Sequence, residues 1–139
     1  VSNNEQASIQ FLNFVVKESH IVFNKLGDYK IDINFNPTGT VIKSINQFIL
    51  KITVIIKDKD NGFNINLSTE SVFSYSEETN VEEHVISLFS LNAPAIVFPY
   101  VRAYIASLTA LSGMPLLTLP TLNLSQLGEV LKKNISIVD

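Results

Sequence analysis

Between Leu91 and Pro120 the chain carries a full charge at one position only, Arg102. From Ala93 to Leu111 nearly every other residue is apolar, small or a hydroxyl, so a helix here is apolar around most of its circumference. Such a helix has to be covered on nearly every side. A membrane is a poor cover, because Arg102 falls near the middle of the run, where insertion costs roughly 2.5–3.5 kcal/mol. Pro99 also interrupts the hydrogen-bond ladder. One small domain covers one face. The small residues Ala103, Ala106, Ser107, Thr109 and Ala110 suit close approach of a second protein surface. The helix is therefore expected to be both a core element and an oligomer interface through Ala103, Ala106, Ser107 and Ala110.

What precedes the helix reads as strands. Ala7 to Asn24 is a long one, with its apolar phase slipping near Leu12 and again near Ser19, as at bulges. Lys25 to Asp28 is a loop. Tyr29, Ile31, Ile33 and Phe35 then alternate with Lys30, Asp32 and Asn34, a half-buried strand. Asn36-Pro37-Thr38-Gly39 reads as a turn. Gln47 to Lys57 is a third strand with Phe48, Leu50, Ile52, Val54 and Ile56 on one face, and Asn61-Gly62 is the tip of the hairpin that follows. Phe63, Ile65 and Leu67 open the return strand, which runs on through Val72, Phe73 and Tyr75.

Helices come after. Asn80 and Glu83 have capping-box spacing for a short helix. Asn92, with Pro94 in the first turn, is expected to start the long helix and Gly113 to end it. Met114 to Leu122 is an apolar loop between prolines. Asn123 and Gln126 again have cap spacing, ahead of a stripe of Leu124, Leu127, Val130 and Leu131. Strands first and helices after is the α+β order. The expected fold is one domain over residues 1–139, a four-stranded antiparallel sheet with one long and one short helix packed on one side.

Function classes narrow by what the chain lacks. Ten basic against thirteen acidic side chains, net charge −3, leave no basic stripe for nucleic acid. With no cysteine there are no disulfides and no thiolate metal sites, which fits a reducing compartment. No basic-then-apolar leader is visible, so a cytoplasmic location is expected. The Asn-X-Ser triplets at Asn66, Asn123 and Asn134 then read as chance in an Asn-rich chain. His20 and His84 lack catalytic or metal-ligand spacing, and Glu77-Glu78 and Glu82-Glu83 read as solvated turns. No phosphate loop, nucleophile elbow or dinucleotide fingerprint occurs, so neither enzymatic activity nor a cofactor is expected. The informative feature is apolar: Met114 to Leu122 packs large side chains, Leu117 and Leu119 among them, into a non-helical stretch beside the last stripe. They either plug the core or line a binding groove.

Ala95-Ile96-Val97-Phe98-Pro99-Tyr100-Val101-Arg102, then Ser112-Gly113 and the run from Pro115 ending in Leu122-Asn123-Leu124, resemble the SecB family of export chaperones. The resemblance covers about Ala7 to Lys133, and elsewhere it is one of strand order and hydrophobic pattern. It implies a dimer of dimers that holds unfolded polypeptides, without nucleotide, in grooves formed by the first crossover loop, the second strand and the last helix. Carried over by position, the groove includes Leu26, Tyr29, Ile31, Leu124, Leu127 and Leu131. Leu26 matches more loosely, because the loop is shorter and lacks the family's tryptophan.

Two departures bear on partners. In the family, acidic residues on the flat outer sheet face dock the motor protein SecA. The matching positions here are His20, Asn24, Asn64 and Asn66, and the last residues, Lys132 to Asp139, carry no acidic tail. SecA docking is accordingly expected to be weak or absent. The expectation is an ATP-independent holdase for unfolded clients. The alternative is a dedicated chaperone or interaction module for one cognate partner, such as an antitoxin of a toxin–antitoxin pair.

Overall fold

The fold is described from a computed structural model over residues 8–115, 117–119 and 123–139, with the backbone alone at 85–87. Four long strands form the sheet: β1 (Ile9–Phe23), β2 (Ile31–Ile42), β3 (Gln47–Asp58) and β4 (Phe63–Tyr75). They pair antiparallel in the order β1-β4-β3-β2. A fifth strand, β5 (Ile135–Val138), joins β2 in parallel. The sheet is thus five-stranded and mixed, which corrects the four-stranded antiparallel expectation. Ile135-Ser136-Ile137-Val138 is too short for its alternation to stand out, and the partner that orders it lies about a hundred positions away in sequence.

Alternation builds the core. On β3 the side chains of Phe48, Leu50, Ile52, Val54 and Ile56 are buried, and on β4 those of Phe63, Ile65, Leu67 and Phe73 join them. β1 keeps Phe11, Phe14, Val16 and Ile21 against the same core, although it is out of phase with itself. It can do so because the β1–β4 register shifts at Phe11/Asn13 and at Val16/Glu18. The first shift falls at Leu12, as its pattern suggests; the second lies two residues ahead of Ser19.

The turn expected at Asn36–Gly39 is instead the middle of β2, with Pro37 paired to Ile52 and Gly39 to Leu50. Proline is tolerated because of parity. The Gly39 N–H points away from β3, donating to the Asn134 carbonyl at 3.1 Å. Pro37, two residues earlier, lacks an N–H on that same outward side, so no bond of the β2–β3 ladder is lost. Gly39 is needed for space: a Cβ there would come within 2.6 Å of the Phe48 ring. The chain turns later, through a 3₁₀ turn at Lys43–Ile45 closed by Asn46 at φ 52°.

All helices pack on the inner side of the sheet. Helix α1 (Val81–His84) runs through a π-wound stretch, Val85–Asn92, straight into α2 (Ala93–Leu111). Asn80 caps its start, accepting from the Glu83 N–H at 3.1 Å, and Glu82 pairs with Lys43 at 2.9 Å. The expected helix start at Asn92 is corrected: Asn92 has helical dihedrals and makes no side-chain cap. In an unbroken α-helix the ring of Pro94 would press on the carbonyl four residues back. The wider π winding, in which the Ala93 N–H reaches the Leu88 carbonyl, makes room there. Gly113 ends the helix at φ 79°. Phe89 packs on Phe48 and Tyr75, Phe98 on Phe35, and Tyr100 on Phe11 and Phe14. Asn123 caps α3 (Leu124–Lys132), accepting from the N–H groups of Ser125 and Gln126. Gly128 lets α3 lie close on the π-wound stretch, since a Cβ there would sit 2.8 Å from the Ser90 carbonyl oxygen.

Candidate functional site

The β1–β2 loop holds Leu26 and Tyr29, and the β3–β4 hairpin tip holds the loop. The N–H groups of Asn24 and Lys25 donate to the Gly62 carbonyl at 2.8 and 3.2 Å. Asn24 Nδ2 donates to the Asn61 carbonyl, and Tyr29 stacks edge-on against Phe63 with ring centres 4.7 Å apart. Asp58 locks the two loops together. Its carboxylate, almost wholly buried, accepts from the backbone N–H of Lys30 and of Gly62, each at 2.8 Å. Burial alone would raise the Asp58 pKa, but the N–H donors of Lys30, Gly62 and Asp60 outweigh it and hold the carboxyl below its ordinary value of 3.8. Nothing in the local sequence marks Asp58, because its donors come from two different loops.

A sign follows for pH. A depressed folded-state pKa stabilises the fold above the unfolded value and stops doing so as pH falls through the folded value. Asp58→Asn is therefore expected to destabilise the protein at pH 7 and to lose much of that difference at a pH well below the ordinary 3.8, where the folded-state carboxyl is protonated too. Urea unfolding of both proteins at the two pH values checks this; an equal difference at both would show that the carboxylate charge is not what holds the loops.

The candidate apolar residues divide by exposure. Leu26 is 70% exposed and Ile31 40%. Tyr29, Leu117 and Leu124 are half-buried. Leu119, Leu127 and Leu131 are buried, and form the floor beneath α3 and the apolar loop rather than surface. Leu116 and Leu122 of that loop lie outside the described residues. Thr109, expected with the small residues that meet a second protein surface, is instead buried within the chain and fixes the loop: its hydroxyl donates to the Ile105 and Ala106 carbonyls and accepts from the Leu117 N–H at 3.0 Å.

Helix α2 has two unlike sides. Ala93, Val97, Val101, Ile105 and Thr109 are buried. Ala95, Arg102, Ala103, Ser107 and Ala110 are exposed, with Ala106 half-buried. The helical stretch Leu88–Leu111 is long and apolar enough to cross a membrane by length and composition, and 28% of its apolar window is buried within the chain.

The outer sheet face mixes paired charges and amides with exposed Val15 and Val22. Asp32 and Lys57, and Lys51 and Glu70, are register partners across neighbouring strands. His20 and Asn66 are partners too, and with Glu18, Thr53, Leu67 and Ser68 they line an open depression of about 400 Å³. Asn24 is engaged in the loop clamp instead. Among the described residues no group of three or more His, Asp or Glu side chains is placed to hold a metal.

The family model for preprotein translocase subunit SecB matches residues 6–132. An uncharacterized protein of Methanocaldococcus jannaschii is 28% identical over 127 residues, 86% of this chain and 82% of the relative. The protein-export protein SecB of Bartonella bacilliformis is 30% identical over 88 residues, 62% of this chain and 54% of the relative. Among solved structures, a SecB-like chaperone of Mycobacterium tuberculosis in complex with a ChAD peptide from the HigA1 antitoxin shares the fold. Its TM-score is 0.71 at 18% identity, over 84% of this chain and 88% of that one. Since the matched region takes in all four antiparallel strands, the long helix and α3, the chain belongs to the SecB family.

Proposed function

We propose that this protein is an ATP-independent holdase, which keeps polypeptides unfolded by burying their apolar side chains on the surface around the β1–β2 loop, β2 and α3. The observation that carries the reading is the exposed pair Leu26 and Ile31, held beside Tyr29 by the Asp58 clamp. A soluble chain gains nothing by fixing such side chains in water unless something else covers them. Leu117 and Leu124 extend the surface. Leu119, Leu127 and Leu131 are its floor and would meet a client only if α3 moves. Each leucine-sized side chain buried is worth roughly 1.5–3 kcal/mol, so several contacts reach micromolar binding, about −8 kcal/mol, after ordering costs. No cofactor, metal or nucleotide enters this scheme.

The exposed small-residue side of α2, Ala103, Ala106, Ser107 and Ala110, is assigned to contact between copies, giving a dimer of dimers in a cytoplasmic setting. The outer sheet face sets the carboxylates of Asp32 and Glu70 opposite lysines, which leaves little net negative charge to steer a basic partner. Docking of a SecA there is expected to be weak, an affinity that calorimetric titration reads directly. The same observation favours the second reading, a chaperone dedicated to one partner such as an antitoxin, which needs no SecA. Competition by unrelated unfolded proteins separates the two readings.

Light scattering of a slow-folding protein diluted from denaturant tests the holdase function. The protein is expected to suppress aggregation near stoichiometric ratio, and Leu26→Asp/Ile31→Asp to weaken suppression by roughly tenfold or more. Aggregation at the same rate with and without the protein would sink the reading.

A further inference from the structure

The family match ends at residue 132, and beyond it the chain adds β5 on the outer edge of β2. Gly39 turns its N–H outward to the Asn134 carbonyl. By strand alternation Ile31, Ile33, Phe35 and Val41 also turn their N–H groups outward. β5 covers the end of this edge at Gly39–Ile42. Past Pro37, which has no N–H to give, Ile31, Ile33 and Phe35 meet no strand among the described residues. One edge thus has an occupied end and an open end, and the open end begins at Ile31, beside Leu26 and Tyr29.

What occupies it has the pattern of an extended apolar peptide. Ile135 and Ile137 are in register with Gly39 and Val41 on the inner side, and Ser136 and Val138 with Thr40 and Ile42 on the outer. The hold is slight. The ladder is four residues long and parallel, the less stable arrangement, and Ile137 and Val138 are 40% and 44% exposed. Of its apolar side chains only Ile135 packs against the core, so β5 belongs to the parts of a fold that open first. Its tether, Asn134, bonds back to the Val130 carbonyl at the end of α3.

We propose that β5 is a resident stand-in on a strand-accepting edge, and that an extended apolar segment of a client, pairing along β2 from Ile31, displaces it. This rests on the holdase reading and deepens it, by naming main-chain pairing on one edge and a competitor built into the chain. A segment matching the 12 residues of β2 cannot pair along its length while β5 stays.

The chain has no cysteine, so Thr40→Cys/Ser136→Cys, at register partners on the outer face, gives a reversible lock. The probe is a dye-labelled twelve-residue peptide alternating isoleucine and serine between terminal lysines. Binding is expected to be about tenfold weaker in the oxidised than in the reduced form, and tighter than wild type when residues 134–139 are deleted. The deletion removes a competitor and raises the binding-competent fraction. In wild type, hydrogen exchange at the Ser136 and Val138 amides should speed up when peptide binds. Equal affinity of the oxidised and reduced forms overturns the proposal and leaves the holdase reading standing, provided both bind. Deletion that changes the oligomeric state and not the affinity also overturns it, since the edge would then serve a second copy. Absence of binding in wild type and all variants, with no suppression of aggregation, overturns both.

Discussion

Ala106→Glu is expected to abolish the proposed assembly through the α2 face while leaving the subunit folded. Ala106 lies half-buried on the side of α2 that the sheet does not cover, flanked by exposed Ala103, Ser107 and Ala110. Small side chains there allow a second helix to approach closely, and in a dry contact of that kind a carboxylate has neither water nor partner. An unpaired buried charge is worth several kcal/mol of destabilisation, and about 4 kcal/mol is roughly a thousandfold loss of affinity. Within the subunit the same change is mild, because the opposite side of the helix, Val97, Val101 and Ile105, makes the core. Multi-angle light scattering at tens of micromolar reads the mass, and circular dichroism reads the fold. A monodisperse monomer for the unmutated chain would show that this face has another occupant.

Phe48→Ala is expected to destabilise the subunit by about 3–5 kcal/mol, as for other buried phenylalanines. Phe48 is fully buried, 4.8 Å ring to ring from Phe89 and 6.2 Å from Phe73, and its ring fills the space over Gly39 where a Cβ would sit. The same geometry makes a second, coupled expectation. Gly39→Ala alone overpacks that contact and is expected to cost about 1–3 kcal/mol. In the Phe48→Ala background the added methyl enters the cavity, so its effect should shrink or change sign. A double-mutant cycle by urea unfolding gives the coupling directly. Strict additivity would mean that Gly39 is there for a reason other than the ring.

Much of this was legible in the residues. Period-two alternation on β3 and β4 names the buried face, because burial on one side of a sheet selects for it. Asn80 and Asn123 both cap as their spacing suggests, since a cap bond is local and involves residues three apart. Gly113 ends the helix for an equally local reason. The run Ala93–Leu111 is apolar on more sides than one domain can cover, and it emerges with one side buried and one bare.

What local pattern left undecided are the contacts made across the chain. Pro37 reads as a turn because proline lacks a donor; only its place on the outward side of an edge makes that harmless. Asn92 reads as a helix start because an asparagine two residues before a proline has the cap pattern; it is not one, because the preceding turn is already helical, wound as π, and no side chain announces that. Asp58 reads as one more acidic residue of a hairpin until Lys30 and Gly62 bring their N–H groups to it. Leu26 and Leu131 are the same residue type, yet one stands in water and the other is fully buried. The sequence by itself determined β1, β3 and β4, the caps at Asn80 and Asn123 and the over-apolar helix, since each depends on neighbours a few positions away. Only the tertiary structure decided which leucines remain for a partner and that β5 would close one end of β2, because exposure and edge pairing depend on segments far apart in the chain.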